Sequence, residues 1–267
     1  MKIDYSYHTH TYRCGHARGT DEEYIKFAIS KGVKILGFTD HVILKNHNQD
    51  GIRGRYEILD EYVSTLRELK EKYKDRIEIL IGFEAEYIKE YVSYYKELLA
   101  SKKIDYFIMG QHAYLDTESD SLKWYFREKD NKELIEKYIF DAIEGMKSGL
   151  YKYFAHPDLF ATGISKWDEY ADDITRRICE AAIKYDIPLE YNLGGFRYPY
   201  ESLFKGLKYE RYPNINFWNI ASTYPIKVII GPDAHDPQYV NDDYEMEHVN
   251  ELIAKYNWNV VKRLDTK

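Results

Sequence analysis

Tyr7-His8-Thr9-His10, followed by Cys14-Gly15-His16, ends the first apolar-alternating segment of the chain. Side chains of an extended strand alternate between faces, so His8 and His10 fall on one side and their ring nitrogens converge. Imidazole is the commonest protein ligand for metals, and His16 lies near enough to serve the same ion or a neighbour. Alone, a His-x-His pair reads equally well as a polar strand end. The rest of the chain decides between the two.

The same arrangement recurs downstream. Met1–Tyr7 alternates as a first strand, and Thr20-Asp21-Glu22-Glu23 supplies a capping box for a helix that runs to Lys31 and stops at Gly32. Val33–Phe38 reads as a short buried strand that delivers Thr39-Asp40-His41. After a polar loop from Val42 to Arg55, Ile58, Tyr62, Leu66, Leu69 and Tyr73 form one apolar helical stripe. Ile77–Phe83 is apolar enough to be buried on both faces; it ends in Glu84, with Glu86 close behind. A helix over about Val92–Ala100 precedes a strand at Ile104–Met109, which ends in Gly110-Gln111-His112.

Ala113–Lys129 reads as a long loop, and Asp130 with Glu133 as a second capping box ahead of a helix that reaches Gly149. Tyr151–Ala155 is the fifth strand and delivers His156-Pro157-Asp158, the proline ending it. A helix over Trp167–Tyr185 leads to a sixth strand at Ile187–Tyr191, near Glu190 and Asn192. Leu193–Pro213, with Gly194-Gly195 and Arg197, reads as a long functional loop because periodic segments flank it closely. A short helix around Phe217–Thr223 and a seventh strand at Ile226–Ile230 follow, the strand delivering Gly231-Pro232-Asp233-Ala234-His235. A closing helix spans about Met246–Tyr256, and Trp258–Arg263 is left to pair with or cover an end.

Alternating strands and helices imply parallel strands with helical crossovers, in a closed barrel or an open sheet. Polar candidates follow strands one, two, three, four, five and seven. In a barrel those ends ring one face, whereas distal strands of an open sheet could not reach one site. The expected fold is therefore an α/β barrel, in one domain over residues 1–267.

Composition fits that fold. The chain has 267 residues, 44% hydrophobic and 31% charged, with 15 Gly and 7 Pro, so neither disorder nor a fibrous repeat is indicated. Its 28 tyrosines are expected at half-buried positions. A net charge of -7 without a long basic block disfavours a nucleic-acid partner. Cys14 and Cys179, far apart, make no disulfide framework. No apolar run approaches membrane-spanning length and no leader precedes Lys2-Ile3-Asp4-Tyr5, so the expectation is a cytoplasmic protein with no membrane partner.

Seven of the nine histidines fall just beyond an expected strand: His8, His10, His16, His41, His112, His156 and His235. Glu84 and Asp233 hold equivalent places. Chance placement of all nine at one rim is improbable, and the set reads as a multinuclear metal site. It contains no thiolate, so zinc, manganese or iron fits. Neutral imidazoles and two carboxylates around two or three divalent ions leave the site net positive, which suits a small phosphate ester.

The ordered pattern His-x-His, His, Thr-Asp-His, Gly-x-Glu, His, His-Pro and Gly-Pro-Asp-x-His resembles the polymerase and histidinol phosphatase (PHP) family, in particular its histidinol-phosphatase branch, over essentially the whole chain. The resemblance implies a distorted (β/α)7 TIM-like barrel with a trinuclear centre. On that pattern His8, His10, Glu84 and Asp233 hold one ion, and His16, His41 and His235 a second. Glu84, bridging, with His112 and His156 holds the third. It further implies a phosphomonoesterase acting on L-histidinol phosphate, with Glu84, Asp233 and His235 as catalytic residues, the last two candidates for proton transfer to the leaving alkoxide. Arg197 in Asn192-Leu-Gly-Gly-Phe-Arg resembles the arginine that grips the substrate phosphate, and its planar fork matches that geometry. Where the branch carries another basic residue, after His-Pro-Asp, this chain reads Leu159-Phe160-Ala161-Thr162. A PHP-type tyrosine phosphatase, another phosphoesterase and a non-catalytic metal-binding module are the alternatives.

Lesser candidates have plain structural readings beside the functional ones. Asp40 and Asp158 either orient imidazoles or serve turns. Arg53 and Arg55 are expected on the solvated surface, and Glu86 either meets a substrate amine or faces water. Trp124 and Tyr125 either stack on an imidazole or hold their loop down. Cys14 is a spacer, and His47 and His248 are given no role.

Overall fold

The structure, a computed structural model, describes residues 3–197 and 212–266. Its strands are β1 (Tyr5–Ser6), β2 (Ile35–Phe38), β3 (Glu78–Ala85), β4 (Tyr106–Met109), β5 (Ala113–Asp116), β6 (Ser121–Trp124), β7 (Tyr151–Phe154), β8 (Leu189–Asn192), β9 (Lys227–Gly231) and β10 (Asn259–Val260). The α-helices are α1 (Asp21–Ser30), α2 (Leu59–Tyr73), α3 (Val92–Ala100), α4 (Lys132–Lys147), α5 (Glu169–Lys184), α6 (Ile215–Ala221) and α7 (Asp243–Tyr256).

Eight parallel strands form one curled sheet in the order β1-β2-β3-β4-β7-β8-β9-β10. Its first seven are the seven strands read from the sequence. β2, β4 and β8 are buried at every residue, as parallel strands covered on both faces must be. The two edges of the sheet meet at the C-terminal end: Thr9 bridges Ala234 in parallel, with His10 N–H on the Ala234 carbonyl at 2.9 Å and Ala234 N–H on that of His8 at 3.1 Å. Further down, β10 pairs with β9 through Asn259 and Lys227. Because β8 holds the other edge of β9, β10 lies on the edge that turns toward β1. The strand ends bearing the polar candidates therefore ring one mouth.

Local chemistry sets the crossovers. Thr20 and Glu23 form the expected capping box on α1, and Gly32 ends that unit with φ 74°. Asp168 caps α5 by accepting from the N–H groups of Tyr170 and Ala171. The second expected capping box is absent. Asp130 has φ 60°, outside the extended range a cap needs, and accepts instead from Ser165 N–H at 2.8 Å; Asn131 caps α4 through Leu134 N–H. The loop expected at Ala113–Lys129 contains the antiparallel hairpin β5–β6, whose short, half-exposed strands carry no apolar run. β3 extends to Ala85, so Glu84 lies within a strand.

Tyrosines reach deeper than expected. Tyr7, Tyr24, Tyr62, Tyr95, Tyr106, Tyr125, Tyr138 and Tyr153 are fully buried. Several bury their rings while the hydroxyl donates to a backbone carbonyl, Tyr106 to Tyr7 at 2.8 Å and Tyr62 to Gly82 at 2.9 Å. Residues 198–211 of the expected functional loop lie outside the described residues. No helix among the described residues is long and apolar enough to cross a membrane.

Candidate metal centre

All nine expected ligands come together at the C-terminal mouth. His8 and His10 follow β1, His41 follows β2, Glu84 is the next-to-last residue of β3, His112 follows β4, His156 follows β7, and Asp233 and His235 follow β9. His16 joins them from the turn after the short helical segment Tyr12–Cys14.

Glu84 is at the middle. Its Oε1 lies 2.8 Å from His156 Nε2, 3.4 Å from His112 Nε2 and 3.5 Å from His8 Nε2. Its Oε2 lies 3.1 Å from His41 Nδ1 and 3.4 Å from His10 Nε2. Gly110, on the neighbouring strand end, makes room, since a Cβ there would lie 2.0 Å from Glu84 Oε1. Asp233 Oδ1 lies 3.5 Å from His8 Nε2, 3.4 Å from His10 Nε2 and 3.4 Å from His235 Nδ1.

Three pairs of imidazoles face each other through Nε2: His8 and His10 at 3.1 Å, His112 and His156 at 3.1 Å, His16 and His235 at 3.0 Å. The outer nitrogens of several rings are committed. His8 Nδ1 lies 2.8 Å from Glu190 Oε1, His16 Nδ1 3.0 Å from the Gly51 carbonyl and His235 Nδ1 3.1 Å from the Asp233 carbonyl. A nitrogen that faces an acceptor carries the proton, which leaves the Nε2 lone pair pointing inward. Between His16 and His235, both committed in this way, lone pair then faces lone pair, an arrangement stabilised by a cation between them. Donors about 2.0–2.1 Å from a tetrahedral ion stand about 3.3–3.4 Å apart; the imidazole pairs here stand 3.0–3.1 Å apart and the carboxylate–imidazole contacts 2.8–3.5 Å. Asp233 Oδ1, buried, has no hydrogen-bond partner among the described residues. The donor set fits divalent metal ions.

Burial lowers the pKa of His10, His16 and His41, and that of His235 to about 3, which keeps these rings in the neutral form that binds metal. Burial opposes charge on His8 too, yet Glu190, Asp233 and Glu84 outweigh it and hold its pKa well above the usual range. Glu84 and Asp233 are pulled well below the usual carboxylate range, against burial, by the surrounding imidazoles.

A family model described as "PHP domain" matches residues 6–193. The chain belongs to the PHP family. Among PHP proteins it is 27% identical over 236 residues to the "Probable histidinol-phosphatase" of Deinococcus radiodurans, covering 86% of this chain and 85% of that one. It is 26% identical over 265 residues to the histidinol-phosphatase of Bacillus subtilis, covering 89% and 96%. The histidinol phosphate phosphatase of Lactococcus lactis, solved with zinc, L-histidinol and phosphate, shares the fold with a TM-score of 0.69 at 18% identity, over 99% of this chain and 100% of that one.

Around the PHP cluster the remaining candidates separate. Arg197 presents Nε to Glu245 Oε1 at 2.6 Å and Nη2 to Glu245 Oε2, while Nη1 donates to the Pro232 carbonyl at 2.5 Å. The guanidinium lies over the Tyr239 ring at 4.3 Å and within 3.3 Å of the Asp233 carbonyl, at the edge of the cluster. Among the described residues Asp40 bonds no imidazole; it accepts from Thr11 N–H at 2.7 Å and from the Thr11 hydroxyl at 2.8 Å, holding the turn between His10 and His16. Asp158 likewise anchors Asn214 N–H and the Trp218 indole. Trp124 stands edge-on to His112, ring centroids 6.1 Å apart. Tyr125 bonds Asp141 and Gln111 and holds its loop down. Cys14 donates to the Thr11 carbonyl, and burial pushes its thiol up to about 12.

The expected surface position of Arg53 is overturned. It is buried, and its fork grips Glu86, itself buried, at 3.0 and 3.3 Å, because the polar loop carrying it folds inward beneath the mouth. Glu86 Oε1 in turn lies 3.5 Å from His112 Nδ1, so it faces neither water nor an open substrate site. Arg55 is exposed as expected, paired with Asp50. Sequence reasoning missed Glu190 on β8, fully buried against His8. The available signal was a carboxylate inside a strand otherwise read as buried.

Proposed function

We propose that the chain is a metal-dependent phosphomonoesterase that converts L-histidinol phosphate and water to L-histidinol and phosphate, within one catalytic domain over residues 1–267. The observation that carries this is the convergence of seven imidazoles and two carboxylates on one mouth, at ligand spacing. Relatives named as histidinol-phosphatases, alignable over most of the chain, support the choice of substrate.

In this reading His8, His10, Glu84 and Asp233 hold one ion, His16, His41 and His235 a second, and Glu84 with His112 and His156 a third. Zinc, manganese and iron suit these donors. Bound ions supply Lewis acidity: they make water a competent nucleophile near neutral pH and offset charge on the phosphoryl oxygens. The chain's own residues do the rest. Arg197, fixed by Glu245 and set beside Asp233, binds the phosphate with its remaining N–H. Asp233 or its neighbour His235, adjacent at the mouth, would relay to the departing alkoxide the proton given up by the attacking water.

The test is a phosphate-release screen of the metal-replete chain with L-histidinol phosphate beside phosphotyrosine peptides, sugar phosphates and nucleotides. The expected profile has L-histidinol phosphate highest in kcat/KM. A flat profile, or one led by phosphotyrosine, contradicts the assignment of substrate.

A further inference from the structure

Glu190 has no exposed surface, and the phosphatase reading gives it no task. Its Oε1 faces His8 Nδ1 at 2.8 Å, and its Oε2 accepts from His156 N–H at 3.1 Å and from Asn192 Nδ2 at 2.6 Å. The Asn192 amide is oriented from its other end, where Oδ1 accepts from Gly194 N–H at 2.8 Å. Every partner of Glu190 is therefore a donor. A glutamine of the same shape would turn an NH2 group toward one of those N–H groups, so a carboxylate alone satisfies all of them. Gly231 on adjoining β9 leaves the space, since a Cβ there would lie 1.7 Å from Glu190 Oε1.

The two histidines that Glu190 contacts belong to different parts of the cluster. His8 Nε2 faces Asp233 and His10 and His156 Nε2 faces His112, while Glu84 Oε1 lies between the two at 3.5 and 2.8 Å. His156 also has φ 33°, a left-handed conformation unfavourable for a residue with a Cβ, and its N–H is the group that Glu190 holds.

We propose that Glu190 is the positioning residue of the cluster: it keeps the His8 proton on Nδ1 with Nε2 aimed inward, and it fixes the turn that presents His156. A carboxylate behind an imidazole also raises the basicity of the far nitrogen, hence its affinity for a cation. The inference rests on the metal-binding part of the function proposed above and is independent of the substrate.

The first test uses the wild-type chain loaded with zinc and labelled with 15N-histidine. Long-range imidazole correlations should identify His8, assigned by its loss in His8→Asn, as the Nδ1–H tautomer with a slowly exchanging proton. An Nε2–H tautomer overturns the proposal. Glu190→Gln should weaken zinc binding, measured by chelator competition, about 10- to 100-fold and shift or abolish that proton signal. Wild-type affinity with an unchanged signal overturns it. If Glu190→Gln does not fold, Gly231→Ala carries the same expectation, since its methyl meets the Glu190 carboxylate. A wild-type chain that binds no zinc refutes the metal site and this proposal together. One that binds zinc but spares histidinol phosphate refutes only the substrate assignment.

Discussion

Thr9 and Ala234 form a parallel bridge between the first and last motifs of the chain, 225 positions apart (234 − 9), with paired backbone hydrogen bonds of 2.9 and 3.1 Å. The bridge brings His8 and His10 within 3.5 Å of Asp233. Ala234→Pro removes the N–H that donates to His8 and disfavours the conformation of Asp233 before it. The expected loss is about 1–3 kcal/mol of stability, from the broken hydrogen bond and an unpaired buried carbonyl. Thermal melting should fall by several degrees, and elemental analysis should find less bound metal. An unchanged melt and metal content would show that closure does not build the site.

Gly110 is expected to tolerate no side chain, because the space of its Cβ belongs to Glu84 Oε1. Gly110→Ala should displace Glu84 and lower activity or metal affinity about 10- to 100-fold. Metal titration together with steady-state kinetics checks this; wild-type behaviour would mean that Glu84 can move without consequence.

Arg197 is expected to contribute to phosphate binding. Arg197→Ala, and equally Arg197→Lys with its single point charge, should lower kcat/KM for the phosphate ester about 10- to 100-fold, as for charge-assisted hydrogen bonds. Glu245→Gln, which keeps the arginine but drops the charge that orients it, should lower it less. Inhibition by inorganic phosphate should weaken in the same order, and an Arg197→Ala variant with unaltered inhibition would remove this residue from the site.

These expectations show where the sequence was legible. Buried parallel strands such as Ile35–Phe38 and Lys227–Gly231 read as apolar runs, and each delivers its ligand just past the run, so fold and ligand set came from one signal. What escaped depends on contacts between distant segments. Arg53 meets Glu86 only through an inward fold of a polar loop, and Glu190 on β8 reaches His8 past the intervening β9. The hairpin Ala113–Trp124 escaped because half-exposed strands have no strong pattern.

Arg13 holds the histidine turn from outside the cluster. Its guanidinium donates to buried Asp21 at 2.6 and 2.7 Å and to Glu61 at 2.8 and 3.1 Å. Arg13→Met leaves Asp21 buried and unpaired, with an expected loss of about 3–5 kcal/mol near neutral pH. Burial already raises the Asp21 pKa, and Arg13 opposes that rise, so the substitution raises it further. A carboxylate with a raised folded-state pKa is best tolerated protonated: the deficit should shrink as pH falls through that pKa and grow as pH rises through it. Urea unfolding of both chains between pH 4 and 7, or about that range, checks the sign. A deficit that widens on acidification would contradict it.

The central claim is that the nine donors at the barrel mouth bind divalent ions and that this assembly hydrolyses a phosphate monoester. It is tested most directly by titrating the metal-free chain with zinc or manganese while bound metal and phosphate release from L-histidinol phosphate are measured in the same samples. The account predicts negligible release without metal and a rise with occupancy to two or three equivalents, abolished together with binding in Glu84→Gln. Full turnover in the metal-free chain, or full occupancy with no phosphate released, would contradict it.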